Sequence, residues 1–408
     1  MDTRQENIAK AHATTCRWLY DRPEYKAWRD PNRKVDHHGF FWIKSKPGAG
    51  KSTLMKFLLT SVKEYLPQDK IISFFFNARG EQLEQSIEGM YRHLLHQLLK
   101  TIPRLQYVLK LPNAYDAFRH GWPIEKLKSL FQEAILSLNE DRLTCFIDAL
   151  DECPEDQVRD MIEFLEDLGQ LSNSGAIDFH VCFASRHYPF VNIAKCQHLT
   201  LDGQDEHEQD IANYIRHKLH GKGKKLETIK VAIREKAHGV FLWAVLVVQI
   251  LNKEIDRGKV HNIERRLEEI PPGLHELFQD ILSRDTEDVE YLVPILRWIM
   301  FAKRPLSREE LYFAIHSGAH NSVALEPWDS EEIDLSSMDL FILHCSKGLA
   351  EMTRSKKPTV QFIHESVRDY LRETGLKTLQ SSSSAASDGS SHDYLKQCCW
   401  NMISQKVL

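Results

Sequence analysis

Across the first half of the chain, short unbroken apolar runs alternate with longer stretches in which apolar residues recur every third or fourth position. The runs are Phe40-Phe41-Trp42-Ile43, Ile71-Ile72-Ser73-Phe74-Phe75-Phe76, Leu143-Thr144-Cys145-Phe146-Ile147 and His180-Val181-Cys182-Phe183-Ala184. Runs of this length without polar alternation predict strands buried on both faces. Between them, Leu54, Met55, Leu58, Leu59, Val62 and Leu66 mark one helical face, and Leu83, Ile87, Met90, Tyr91, Leu94, Leu95, Leu98 and Leu99 mark another. Strands alternating with helices of about 10 to 20 residues predict an α/β, doubly wound parallel sheet over residues 38–205, completed by a short strand near His198 to Leu201.

The pattern changes on either side of that block. Residues 5–30 read as a helical lead-in with Ile8, Ala11, Cys16, Trp18, Leu19, Tyr25 and Trp28 as its apolar positions, followed by a polar connector from Asp30 to Gly39. Beyond residue 206 the strand signal stops. Helices are expected at Glu208 to Leu219, after a turn at Gly221 to Lys225 as far as Lys236, and from Gly239-Val240-Phe241-Leu242-Trp243 onward. Residues 288–375 return to mixed structure. Helices at Tyr291 to Phe301 and Ser307 to His316 precede strand-like Leu340 to Leu343, Gly348 to Met352 and Thr359 to Ile363, the layout of a winged-helix module. Ser381 to Ser391 is a flexible linker by composition. The predicted division is thus a lead-in (1–37), the sheet domain (38–205), a helical domain (206–287), a winged helix (288–375) and a Ser-rich linker opening a truncated region (376–408). The apolar ending Val407-Leu408 points to an architecture that continues.

The candidate chemistry gathers where the predicted strands end. Lys46-Pro47-Gly48-Ala49-Gly50-Lys51-Ser52-Thr53 follows the first strand and opens a helix, the arrangement of a phosphate-binding loop. Gly48 and Gly50 let the backbone curl its N–H groups around one anion, at the positive end of the helix that follows. Lys51 supplies a cation for the β and γ phosphates, and Ser52 a hydroxyl for Mg²⁺. Ser45 stands where the motif has a glycine. The strand ending Phe146-Ile147-Asp148 delivers a carboxylate suited to the same Mg²⁺, and Asp151 and Glu152 follow it. One of these two, Glu152 in preference, is the candidate general base for water; the competing reading is that both cap the next helix. Arg186, after the strand ending Ala184-Ser185, is a candidate γ-phosphate sensor, weighed against an arginine on an exposed loop. Phe241 and Trp243 also read as core, and His364 as a histidine satisfied at a strand–helix junction.

Composition narrows the classes. The 408 residues are 42% hydrophobic and 27% charged, enough for two or three packed domains. A net charge of -5 argues against a protein built to coat nucleic acid or an anionic membrane. The basic segment His217 to Lys225 has no interleaved aromatics and reads as a solvated loop. The longest apolar run, Val240 to Val248, is far short of the roughly 20 residues a membrane span needs. Eight cysteines without a CxxC pair favour reduced thiols and a cytoplasmic setting. His93 and His96 lie one turn apart, but no second ligand pair stands at a spacing that would complete a zinc site.

Together, Lys46 to Thr53, Phe146 to Glu152 and Ala184-Ser185-Arg186 resemble the Walker A, Walker B and sensor 1 motifs of the NACHT class of signalling P-loop NTPases. The likeness is to the fungal nephrocystin-like and heterokaryon-incompatibility type. Thr15 to Leu19, Phe74 to Gly80, Gly239 to Trp243 and Phe362 to Leu371 agree with it. The resemblance implies ATP or ADP with Mg²⁺ as ligands, Pro47 to Thr53 as the cradle, and Gly239 with Phe241 near the adenine, where relatives carry Gly-x-Pro. It also implies that His364 touches the β phosphate of ADP from the winged helix. Ala149 stands where many relatives have glycine. The implied function is a slow NTPase used as a switch, closed by ADP and released by ATP to form a homo-oligomer. Protein partners would act through the truncated C-terminal region, with no membrane and no nucleic acid involved. The alternatives are a nucleotide-stabilised scaffold with little hydrolysis and, less well supported, a small-molecule kinase.

Overall fold

A computed structural model describes residues 3–12, 15–111, 122–174, 177–187, 193–221, 223–283, 289–319, 333–355, 357–379 and 388–404. It divides into two compact units, Met1–Leu267 and Glu268–Leu408.

The first unit is built on a parallel sheet of five strands: β1 (Phe40–Lys44), β2 (Lys70–Phe75), β3 (Leu143–Asp148), β4 (Phe179–Ser185) and β5 (Gln197–Thr200). Their order across the sheet is β2-β3-β4-β1-β5. The unbroken apolar runs are explained by burial on both faces. Phe40, Trp42, Ile72, Phe74, Cys145, Ile147, Val181 and Phe183 point into one core, and Phe41, Ile43, Phe75, Phe146, Cys182 and Ala184 into the other. The second core is closed by Leu54, Met55, Leu58, Leu59 and Val62 of the helix Lys51–Tyr65, the positions that the periodicity marks. Three helices follow the sheet, Asp205–Lys218, Lys224–Ala237 and Phe241–Asp256.

The lead-in is not one helix. A short helix Thr3–Asn7, a 3₁₀ turn Arg17–Asp21 and a helix Pro23–Arg29 replace it, because Cys16 takes a left-handed φ of 71° and Pro23 starts a new first turn. The connector that follows holds two further turns, Pro31–Arg33 and Lys34–His37. Trp28 closes the lead-in on the sheet, stacking on Phe41 and donating its indole N–H to the Gly39 carbonyl at 2.7 Å.

In the second unit, the helices Leu274–Ser283, Val289–Phe301, Arg308–Ala319 and Leu335–Cys345 precede an antiparallel pair, β6 (Ala350–Met352) and β7 (Val360–Phe362). Leu340 to Leu343 is therefore helix, where the sequence pattern predicts strand. Asp334 caps that helix through the Ser337 amide, and Met338, Ile342 and Cys345 are its buried face. The linker expectation also fails for Asp388 to Ser391, which begin the helix Asp388–Ser404. Ser381 to Ser387, Val407-Leu408 and Lys222 of the basic segment lie outside the described residues.

Candidate functional site

The sheet order brings the candidate motifs to one edge. β4 lies between β1 and β3, with Lys44 opposite Ser185 and Ile147 opposite Phe183. The chain therefore leaves three adjacent parallel strands at the same edge, carrying Lys51 and Ser52 after β1, Asp148 at the end of β3 and Arg186 after β4. Such an edge is where open α/β sheets take their ligands.

After β1 the backbone turns through Gly48 at φ 74° and Gly50 at φ 98°, a left-handed region that favours glycine, and the loop helix starts at Lys51. Lys51 folds back over the loop. Its Nζ donates to the carbonyls of Ser45 (3.0 Å) and Lys46 (2.9 Å) and to the Ser45 hydroxyl (3.3 Å). Burial holds this ammonium below its ordinary pKa, while Asp151 and Asp148 pull the other way. Ser45 thus gives the lysine a hydroxyl partner that a glycine would lack.

Three carboxylates stand at the end of β3 and just beyond it, and they differ. Asp148 is fully buried, and among the described residues neither of its oxygens has a hydrogen-bond partner. Burial raises its pKa to about 6, and the nearby Ser52 hydroxyl works in the opposite direction. Asp151 accepts from the Arg186 backbone N–H at 2.8 Å and from Arg186 Nε at 2.9 Å. Its pKa is raised by burial and by Glu152, against the pull of Arg186 and Lys51. Glu152 accepts from Arg4 Nη2 at 3.1 Å and from the Ala78 amide at 2.9 Å. An unpartnered buried carboxylate next to a serine hydroxyl fits Mg²⁺, which takes hard oxygen ligands and keeps several waters.

A second wall comes from the helices after the sheet. His238 and Gly239 take left-handed φ values of 46° and 76°, turning the chain from one helix into the next. Phe241 is the first residue of the new helix, and the Leu242 amide donates to the Gly48 carbonyl at 2.9 Å, joining that helix to the phosphate loop. Phe241 packs edge-on against Tyr214 at 5.2 Å, and a Cβ on Gly50 would lie 3.9 Å from its own Cβ. His207 donates its ring Nε2–H to the Gly239 carbonyl at 3.1 Å, and burial lowers its pKa. His364 belongs to the second unit and is not among the residues the first unit gathers. There it caps the helix Glu365–Tyr370, with Nδ1 accepting from the Ser366 amide at 3.1 Å.

Residues 14–186 match the family described as nephrocystin 3, N-terminal. Vegetative incompatibility protein HET-E-1 of Podospora anserina is 26% identical over 378 residues, which are 88% of this chain and 26% of that protein. Together these matches support a NACHT-type domain over residues 14–186. The chain spans about a quarter of the length of this curated relative. Among solved structures, Cdc6p from Pyrobaculum aerophilum is 11% identical with a TM-score of 0.43, covering 93% of this chain and 99% of its own. A Drosophila ORC structure bound to DNA is 12% identical with a TM-score of 0.44, covering 91% and 90%.

The matched segment holds Lys51, Ser52, Asp148, Asp151, Glu152 and Arg186 at one strand edge. Two residues of that edge escape a reading of the sequence. Arg4 lies in a polar start with no pattern to single it out, and Ala78 contributes a backbone amide, which no side-chain motif records. Tyr214 beside Phe241 could have been found only as one more aromatic position in an amphipathic helix.

Proposed function

We propose that the protein is a nucleotide-dependent switch of the NACHT signalling type, binding ATP and ADP with Mg²⁺ and hydrolysing ATP slowly. The observation that carries this reading is Asp148, a carboxylate buried without a partner beside the loop lysine and serine. Leaving such a group unpaired costs several kcal/mol in the free protein, an arrangement that a divalent cation turns to use.

In this reading the backbone of Pro47, Gly48, Ala49, Gly50, Lys51, Ser52 and Thr53 cradles the phosphates and Lys51 moves from the loop carbonyls to the β and γ phosphates. Ser52 and Asp148 hold Mg²⁺, which neutralises phosphate charge when bound. Glu152 orients and deprotonates the attacking water, assisted by Asp151, and Arg186 reports the γ phosphate. Gly239 and Phe241 form the base side of the site. Residues 206–287 act as the helical domain and residues 288–375 as a winged helix, from which His364 reaches the β phosphate of ADP. A nucleotide shifts the equilibrium between closed and open states only by its differential affinity for them, so ADP must touch both domains in the closed state alone. The open form assembles with further copies, in the cytoplasm. Among the described residues no helix is long and apolar enough to cross a membrane.

The test is the affinity of the full chain for ATP and ADP, with and without Mg²⁺, beside Lys51→Ala. The expected loss in the variant is about 100-fold, or about 3 kcal/mol. Absence of any binding by the unaltered chain would overturn the reading. A second reading, a nucleotide-bound scaffold with little turnover, is favoured by the engagement of both Glu152 oxygens. It predicts binding with no Mg²⁺-dependent phosphate release.

A further inference from the structure

The carboxylate suited to activating water is held by a segment outside the family-matched residues. Arg4 belongs to the helix Thr3–Asn7, which precedes residues 14–186. Its Nη2 lies 3.1 Å from Glu152 Oε1, with the two side chains 10% and 6% exposed. A five-residue helix does not sustain itself in water. This one is fastened from outside: Lys56 of the loop helix donates to the carbonyls of Gln5 (2.7 Å), Glu6 (3.2 Å) and Ile8 (2.6 Å), taking up the acceptors that a helix end leaves over. Ile8 is buried in the same core as Leu54, Met55 and Leu58 of that helix. The segment is therefore anchored on the helix that begins at the phosphate loop, and its arginine enters the carboxylate cluster.

What this does to Glu152 follows from its two oxygens. A base must offer an oxygen to the water it activates. In hydrolysis the water oxygen bonds to the γ phosphorus, the bond to the β–γ bridging oxygen breaks, and the water proton leaves toward the carboxylate. Here Oε1 accepts from Arg4 and Oε2 from the Ala78 amide; each oxygen keeps a further lone pair, but with the side chain only 6% exposed the docked arginine stands between the carboxylate and solvent.

We propose that residues 3–8 are an intramolecular strap, and that Arg4, a positioning residue acting through Glu152, withholds that carboxylate from water while the strap is docked. The inference rests on the nucleotide reading above. Releasing the strap frees Glu152 and raises turnover without altering the phosphate loop.

The experiment measures Mg²⁺-dependent ATP turnover and ATP affinity of the full chain for Arg4→Ala, Lys56→Ala, Glu152→Gln and Arg4→Ala/Glu152→Gln, with thermal unfolding as a check on folding. Loss of one buried charge-assisted hydrogen bond is expected to raise kcat about tenfold in Arg4→Ala. A smaller rise is expected in Lys56→Ala, with ATP affinity unchanged in both. The double variant should turn over no faster than Glu152→Gln, which a merely structural role for Arg4 would not require. Slower or unchanged turnover in Arg4→Ala with ATP still bound overturns the strap alone, as does a gain that persists without Glu152. Failure of the unaltered chain to bind ATP overturns the nucleotide reading instead. Should Arg4→Ala not fold, Lys56→Ala decides, because it loosens the strap and leaves Arg4 in place.

Discussion

Asp148 and the pair Asp151–Glu152 sit within five residues of one another at the end of one strand, all with side chains largely shielded from solvent, yet their partners differ. Asp148 has no hydrogen-bond partner among the described residues, whereas Asp151 is fixed by Arg186 and Glu152 by Arg4 and Ala78. The paired carboxylates already have their partners in the free protein. The bare group costs stability until something cationic arrives. Burial alone thus says little about a carboxylate; the count of its partners separates a group kept for a ligand from one kept in place by the fold.

Breaking the paired side has the larger effect. Arg186→Ala leaves Asp151 buried without its counter-charge and is expected to lose about 3–5 kcal/mol of stability in denaturant unfolding. Neutralising the bare side should act in the opposite direction. Asp148→Asn removes an uncompensated charge and is expected to stabilise the ligand-free chain by about 2–3 kcal/mol, while abolishing the effect of Mg²⁺ on nucleotide affinity. The pH profile sharpens this. The folded state holds the Asp148 proton up to about pH 6, whereas the unfolded carboxyl releases it near 3.8. Folding therefore takes up a proton in that window, and this group's contribution to stability falls as pH rises from about 4 to 6. The advantage of Asp148→Asn over the unaltered chain should be small at pH 4 and full at pH 7; an advantage that stays constant with pH would count against a raised Asp148 pKa. The smallest effect is at the hinge between the two groups. Ala149 sits at φ 58°, where a Cβ costs about 1–2 kcal/mol. Allowing for the entropy that glycine gives up on folding, Ala149→Gly should gain about 0.5–1 kcal/mol in thermal unfolding.

The sheet could be read from the sequence because two-sided burial leaves an unbroken apolar run, as in Phe40 to Ile43 and Leu143 to Ile147. The order of its strands could not. Nothing local in Phe179–Ser185 says that it inserts between β1 and β3, since pairing at such separations is decided by the whole core. Short apolar runs were ambiguous in the other direction as well. Leu340 to Leu343 has the composition of a strand, and only the capping Asp334 and the spacing of Met338, Ile342 and Cys345 mark it as helix. Within the candidate site, Lys51, Ser52 and Asp148 stand out because the proposed phosphate and metal chemistry calls for those groups at that spacing. Arg4 does not, because a long-range ion pair needs only one arginine anywhere that the fold can deliver it.

The bond from the Leu242 amide to the Gly48 carbonyl has a mechanical meaning. It rivets the loop that would grip phosphate to the head of a sixteen-residue helix, Phe241–Asp256, which spans about 24 Å at 1.5 Å per residue. A shift of the loop either carries the near end of this lever along or shears the rivet, and in the first case a displacement of about one ångström at the loop travels the length of the helix.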